Sequence, residues 1–205
     1  MTKKLLFKTF LFFTIFFTPV LSKAEEPIYW GEFDGWSVLS LPAFDYGCTI
    51  RSSFYADGTL LFFGFDRREG NIYLSILNRD WASLKDGDLY KMIINYKPKG
   101  IWEGTAEVYN LDGDIGQLVM TVNDSDALDF VQEFALKEAI KFTINQYELA
   151  NLSLKGSNNA VLELIKCQDA VNNYVANNDI TPFMSKFKLK KITPKDPFTK
   201  IKPIN

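Results

Sequence analysis

The chain has 205 residues, with 23 basic and 25 acidic side chains, two cysteines and no histidine. The missing histidine excludes Ser-His-Asp and Cys-His catalysis and imidazole metal sites, and two thiolates alone do not complete a zinc tetrahedron, so neither metal nor cofactor is expected. Residues 25–185 hold 12 basic against 24 acidic side chains, a formal charge of −12, which argues against nucleic-acid binding because phosphate contacts need a basic face.

Residues 1–24 read as a secretory signal peptide. Lys3, Lys4 and Lys8 precede an apolar run from Phe10 to Leu21, and Ser22-Lys23-Ala24 places small residues at the −3 and −1 positions of a cleavage site after Ala24. The apolar run is about twelve residues, short of the roughly 20 that span a bilayer. The expected location is the periplasm or the secreted fraction, with one domain over residues 25–185. In an oxidising compartment Cys48 and Cys167 pair most simply as a disulfide, which would close a loop of about 120 residues; two free thiols are the alternative.

Strands and turns then follow at short spacing: Trp36–Leu41, Cys48–Tyr55, Leu60–Phe65, Ile72–Leu77, Leu89–Tyr96, Glu103–Tyr109 and Gln117–Val122. Ala56-Asp57-Gly58-Thr59, Arg67-Arg68-Glu69-Gly70 and Lys97-Pro98-Lys99-Gly100 are turn signals between them. Asn110–Gly116 resembles a calcium loop in its first five positions. Ile115 stands where the sixth needs glycine and Thr121 where the twelfth needs glutamate, so a turn is the better reading. From Asp124 the period becomes helical, with Asp124 or Ser125 as the cap and Ala127, Phe130, Val131, Phe134 and Ala135 on one face. Ala139–Ile144 and Leu149–Leu154 return to strand alternation. Ser157 is read as the N-cap of a second helix, in which Ala160, Val161, Leu164, Cys167, Gln168 and Val171 share a face. That face turns Cys167 toward the sheet, where a bridge to Cys48 needs it. The expected fold is α+β: eight or nine mostly antiparallel strands in a curved sheet or barrel, with two helices.

Residues 186–205 read as a disordered basic tail, with Lys186, Lys188, Lys190, Lys191, Lys195, Lys200 and Lys202 against Asp196 alone. The alternation from Lys186 to Ile192 also fits a short added strand.

The run Leu152-Ser-Leu-Lys-Gly-Ser-Asn-Asn-Ala160, then Leu164, Cys167 and Pro182-Phe183, resembles the ending of small exported proteins common in alphaproteobacteria. That ending is L-x-L-x-G-S-x-x-A, a Leu-rich helix and a cysteine, then Asn-Pro-Phe. Those proteins also tend to carry an earlier cysteine, here Cys48, and Asn-x-x-Trp after a strand, here Asn78 to Trp81. Thr181 departs from the pattern where asparagine would precede Pro-Phe, and the lysine tail is an addition. The resemblance implies export and a shared fold and brings no activity.

Three sets of residues are candidates for function. Tyr29, Trp30, Phe33 and Trp36 cluster near the start; core filling is the default for aromatics in a β domain, and an exposed cluster would meet a ligand or partner. Glu103 and Glu107 lie four apart on a strand with Trp102 and Tyr109 nearby, an acidic pair of the kind glycoside hydrolysis uses at roughly 5–9 Å separation. The tail lysines suit contact with an anionic membrane surface or polymer, at up to about 1 kcal/mol each, or docking on the acidic body. Ser157 follows a glycine but lacks the rest of a nucleophile elbow. The expected function is therefore a non-catalytic exported binding module whose partner is an unknown protein or envelope polymer. The alternative is an envelope-polysaccharide hydrolase or an inhibitor of such enzymes.

Overall fold

The computed structural model describes residues 26–56, 58–111 and 115–177. The expected signal peptide, Asp112 to Asp114 of the calcium-like run, and the lysine tail lie outside the described residues. Ten strands form: β1 (Ile28–Phe33), β2 (Trp36–Leu41), β3 (Gly47–Phe54), β4 (Thr59–Asp66), β5 (Asn71–Asn78), β6 (Leu89–Lys97), β7 (Ile101–Leu111), β8 (Ile115–Val122), β9 (Ala139–Ile144) and β10 (Tyr147–Ser153). Two helices join them, α1 (Asp124–Leu136) and α2 (Ser157–Asn177). The strand absent from the sequence reading is β1. Its pairing with β2 slips between Tyr29 and Gly31, so a bulge at Trp30 breaks the period-2 alternation that marks a strand.

All neighbours are antiparallel in the order β1-β2-β3-β4-β5-β8-β7-β6-β9-β10. The fold is α+β, and the sheet is open rather than a closed barrel. Its curvature follows from one side chain. Phe63 on β4 and Tyr96 on β6 are four strand spacings apart, about 19 Å on a flat sheet. Yet their ring centroids lie 6.1 Å and 5.8 Å from the ring of Phe130 on α1. The sheet wraps around that ring.

Alternation gives the inner face Val38, Ile50, Leu61, Leu74, Met92 and Phe142, all buried. Phe130 and Phe134 of α1 and Ala160, Leu164 and Cys167 of α2 seal it. Cys48 and Cys167 form a disulfide with their Cα atoms 6.1 Å apart, and the Cys48 N–H donates to Gln168 Oε1 at 2.9 Å.

Caps differ from the sequence reading. Asn123 holds the N-cap position of α1, with no side-chain cap bond. Ser157 is the first helical residue of α2, and its buried hydroxyl donates to the Phe134 carbonyl at 2.9 Å, in the last turn of α1. It ties two helix ends together where a carbonyl lacks an intrahelical partner. Gly156 precedes it at φ +86°, and a Cβ there would lie 2.6 Å from the Asp34 carbonyl oxygen. The Gly-Ser pair of the resemblance motif is thus explained by folding. Ser157→Ala should lower stability by about 1–3 kcal/mol, the cost of an unsatisfied buried acceptor, read by urea denaturation.

On the outer face, the 3-10 turn Pro42–Phe44 lays Phe44 over Tyr73 on β5, with ring centroids 4.2 Å apart. The buried Tyr73 hydroxyl bonds Thr49 Oγ1 at 2.5 Å. Burial pushes the Tyr73 phenol far up, only partly offset by that hydroxyl. Nearby, burial works to raise Asp66, but Arg68 outweighs it: its backbone N–H and guanidinium bond the carboxylate at 2.9, 3.3 and 3.0 Å, holding it below its ordinary value. A depressed folded pKa contributes stability that is complete above about pH 4 and is lost as pH falls through the folded value. Asp66→Asn should therefore be less stable than the parent at pH 7, with the gap closing below about pH 4; a gap that stays constant with pH would mean the charge is not its source.

Candidate interaction site

A groove of about 600 Å³ lies between the β6–β7 turn and the second half of α1. Gly100 lies in its wall, facing Glu133. Its φ of +138° is a backbone conformation that residues with a Cβ rarely adopt, and a Cβ there would press on the Glu133 carboxylate. The Trp102 indole N–H donates to Glu133 Oε2 at 2.6 Å, and the Lys137 ammonium lies 3.6 Å from Oε1. The Trp102 ring meets Phe130 edge-on at 5.0 Å, which anchors the groove floor to the core. Beneath it, burial pushes the Tyr96 phenol well up, and the charge of Glu133 adds to the effect. Ile101 and Leu136 line the groove at 71% and 70% exposure. The result is a carboxylate with its partners fixed, flanked by aliphatic side chains that nothing covers among the described residues. Such a surface suits an apolar group carrying a hydrogen-bond donor.

The sequence candidates fall in different places. Trp36 is 1% exposed, packs against Phe134 at 5.7 Å, and donates its indole N–H to the Lys155 carbonyl at 3.0 Å. Trp30 is half-buried and bonds Glu163 of α2 at 3.4 Å. Phe33 is half-buried against the core, while Tyr29 pairs opposite Leu39. Desolvation and then Glu32 raise the Tyr29 phenol, opposed by Arg51. These four rings form no single open platform.

Glu103 and Glu107 both line a second cavity of about 340 Å³, together with Leu89, Trp102, Val119, Met120 and Asp126. Their Cα atoms are about 13 Å apart by strand rise. Lys91 holds Glu103 at 3.0 Å, and the Tyr109 hydroxyl donates to Glu107 at 2.9 Å. Each carboxylate thus has its own partner. Trp102, read as a sugar platform for them, also lines this cavity, but its ring meets Phe130 edge-on and its indole N–H is bonded to Glu133.

No protein-family profile, curated protein or solved structure matches the chain.

The groove at Glu133 was missed because its two walls are some thirty residues apart in sequence. One signal was available: Leu128 and Leu136 fall off the apolar stripe of α1, and both are strongly exposed.

Proposed function

We propose that the chain is exported on its N-terminal leader and acts, without catalysis, as a binding module in the periplasm or outside the cell. The observation that carries this reading is the pair Ile101 and Leu136, two large aliphatic side chains left exposed on the walls of the Trp102–Glu133 groove. Export is supported by the disulfide, and no helix among the described residues is long and apolar enough to cross a membrane. The partner is a protein or an envelope polymer that brings an apolar group into the groove.

Immobilised mature protein and its Ile101→Asp/Leu136→Asp variant, exposed to the same envelope extract, test the proposal. The parent should retain a component that the variant binds at least tenfold more weakly, about 1.4 kcal/mol or more, while both give the same circular dichroism. Equal retention would remove the groove from the function.

A second reading, an envelope-polysaccharide hydrolase or an inhibitor of such enzymes, is favoured by Glu103 and Glu107 sharing one cavity. It requires turnover of a polysaccharide that Glu103→Gln abolishes, or binding to lysozyme-type enzymes. The tail lysines Lys186 to Lys202 add weak contact with an anionic membrane surface.

A further inference from the structure

We propose that a small pocket at one end of the curved sheet binds a soluble quaternary ammonium compound, its cationic head caged by Trp81, Tyr90 and Tyr147 beside the carboxylate of Asp80. The pocket holds about 260 Å³. Pockets for drug-sized ligands run to roughly 300–1,000 Å³, so this one takes a small molecule. It shares no lining residue with the Trp102–Glu133 groove.

Strand registers put its walls at the mouth of the sheet. Asn78 ends β5 opposite Gly116, near the start of β8, and Ile144 ends β9 opposite Tyr147, where β10 begins. Leu118 of β8 and Ile144 of β9 are buried and both line the pocket. Three strand spacings separate them, about 14 Å on a flat sheet, and the bend of the sheet draws them under one floor. Tyr90 stands two residues before the buried Met92 and so shares its inner face. Small ligands favour such mouths of curved sheets.

The walls are fixed before any ligand arrives. Asn78 Oδ1 accepts the Asp80 N–H at 2.9 Å, and its carbonyl accepts the Trp81 N–H at 3.2 Å. Asn78 Nδ2 in turn donates to the buried Thr59 Oγ1 at 3.1 Å. The Asn-x-x-Trp run is therefore a device that holds Asp80 and Trp81 in place. The loop lies directly on β8, where a Cβ at Gly116 would come 2.7 Å from the Trp81 carbonyl oxygen. Across the pocket, Asn145 and Gln146 both have positive φ, as a two-residue hairpin turn requires, and deliver Tyr147 to the rim. Tyr147 is 76% exposed, a ring that a ligand would cover.

The chemistry of the lining selects the ligand. Among the described residues Asp80 is its one charged member, and residues 25–185 carry a formal −12, so a cation is drawn in and an anion repelled. Aromatic faces attract a cation held within about 6 Å. A primary ammonium would lose hydrogen bonds to water over the floor of Leu118, Ile144 and Leu149, whereas a quaternary one has no N–H to leave unmet and meets that floor with methyl groups.

Calorimetric titration of the mature protein with choline, and with its uncharged analogue of the same shape, 3,3-dimethylbutan-1-ol, tests the proposal. Choline should bind with a Kd of about 1 mM or tighter, and the neutral analogue about tenfold more weakly. Tyr147→Ala and Asp80→Asn, both at exposed positions, should each weaken choline at least fivefold with unchanged circular dichroism. Ile101→Asp/Leu136→Asp should bind choline like the parent, which separates this pocket from the groove proposed above. Equal binding of the two probes, no saturable choline binding, or choline binding indifferent to both Tyr147→Ala and Asp80→Asn would overturn the proposal. So would sedimentation with phosphatidylcholine vesicles that free choline does not compete away, which would make a membrane headgroup the ligand instead.

Discussion

Replacing Cys48 and Cys167 together by serine should lower the midpoint of thermal unfolding by about 8–20 °C. The bridge spans a sequence separation of 119 residues. The chain-entropy account of such a loop gives about 4–5 kcal/mol, and each kcal/mol moves the midpoint of a domain this size by about 2–4 °C. The buried face of α2 presents Cys167 to β3, beside the bond from the Cys48 N–H to Gln168. Calorimetry without reductant should separate parent from variant, and adding reductant should bring the parent down to the variant. If the two coincide without reductant, the thiols are unpaired in the protein as prepared, and the oxidising compartment loses its main support.

Phe130→Ala should cost about 3–5 kcal/mol, the largest effect expected of any single ring. Phe130 is fully buried and touches Phe63, Tyr96 and Trp102, which stand on β4, β6 and β7. Truncation removes the body around which the sheet bends, and three strands cannot all move inward to refill the space. Leu128→Ala, on the same helix at 68% exposure, should change stability by less than about 0.5 kcal/mol. Urea denaturation of both variants gives the contrast, and similar losses at the two positions would mean that the helix is held by something other than its inward face.

Much of this architecture was legible because each turn carries its own chemistry. Nine of the ten strands announce themselves by alternation between glycine, proline or aspartate signals, and both helices by their 3.6 period. β1 did not, since its bulge shifts the alternation midway. The sheet order was also hidden: nothing local to β5 says that its next neighbour is β8, a pairing chosen by the inner-face match of Leu74 with Met120 and Ile76 with Leu118. Ser157 was placed rightly at the start of α2 but its hydroxyl's bond to the end of α1 was not foreseen, because a partner 22 or 23 residues away leaves no trace in its own neighbourhood. The Trp102–Glu133 groove needed both walls at once, and each wall alone looks like an ordinary strand or helix.

The sulfur link from β3 to α2 has a bearing on proteolysis. Seven of the ten strands and all of α1 lie between its two ends. An enzyme that cuts an exposed turn such as that between β6 and β7 would open the backbone but leave two pieces covalently joined, each still holding strands the other needs. Nicked molecules should therefore run as one band without reductant and as two with it, while the cut domain keeps its shape.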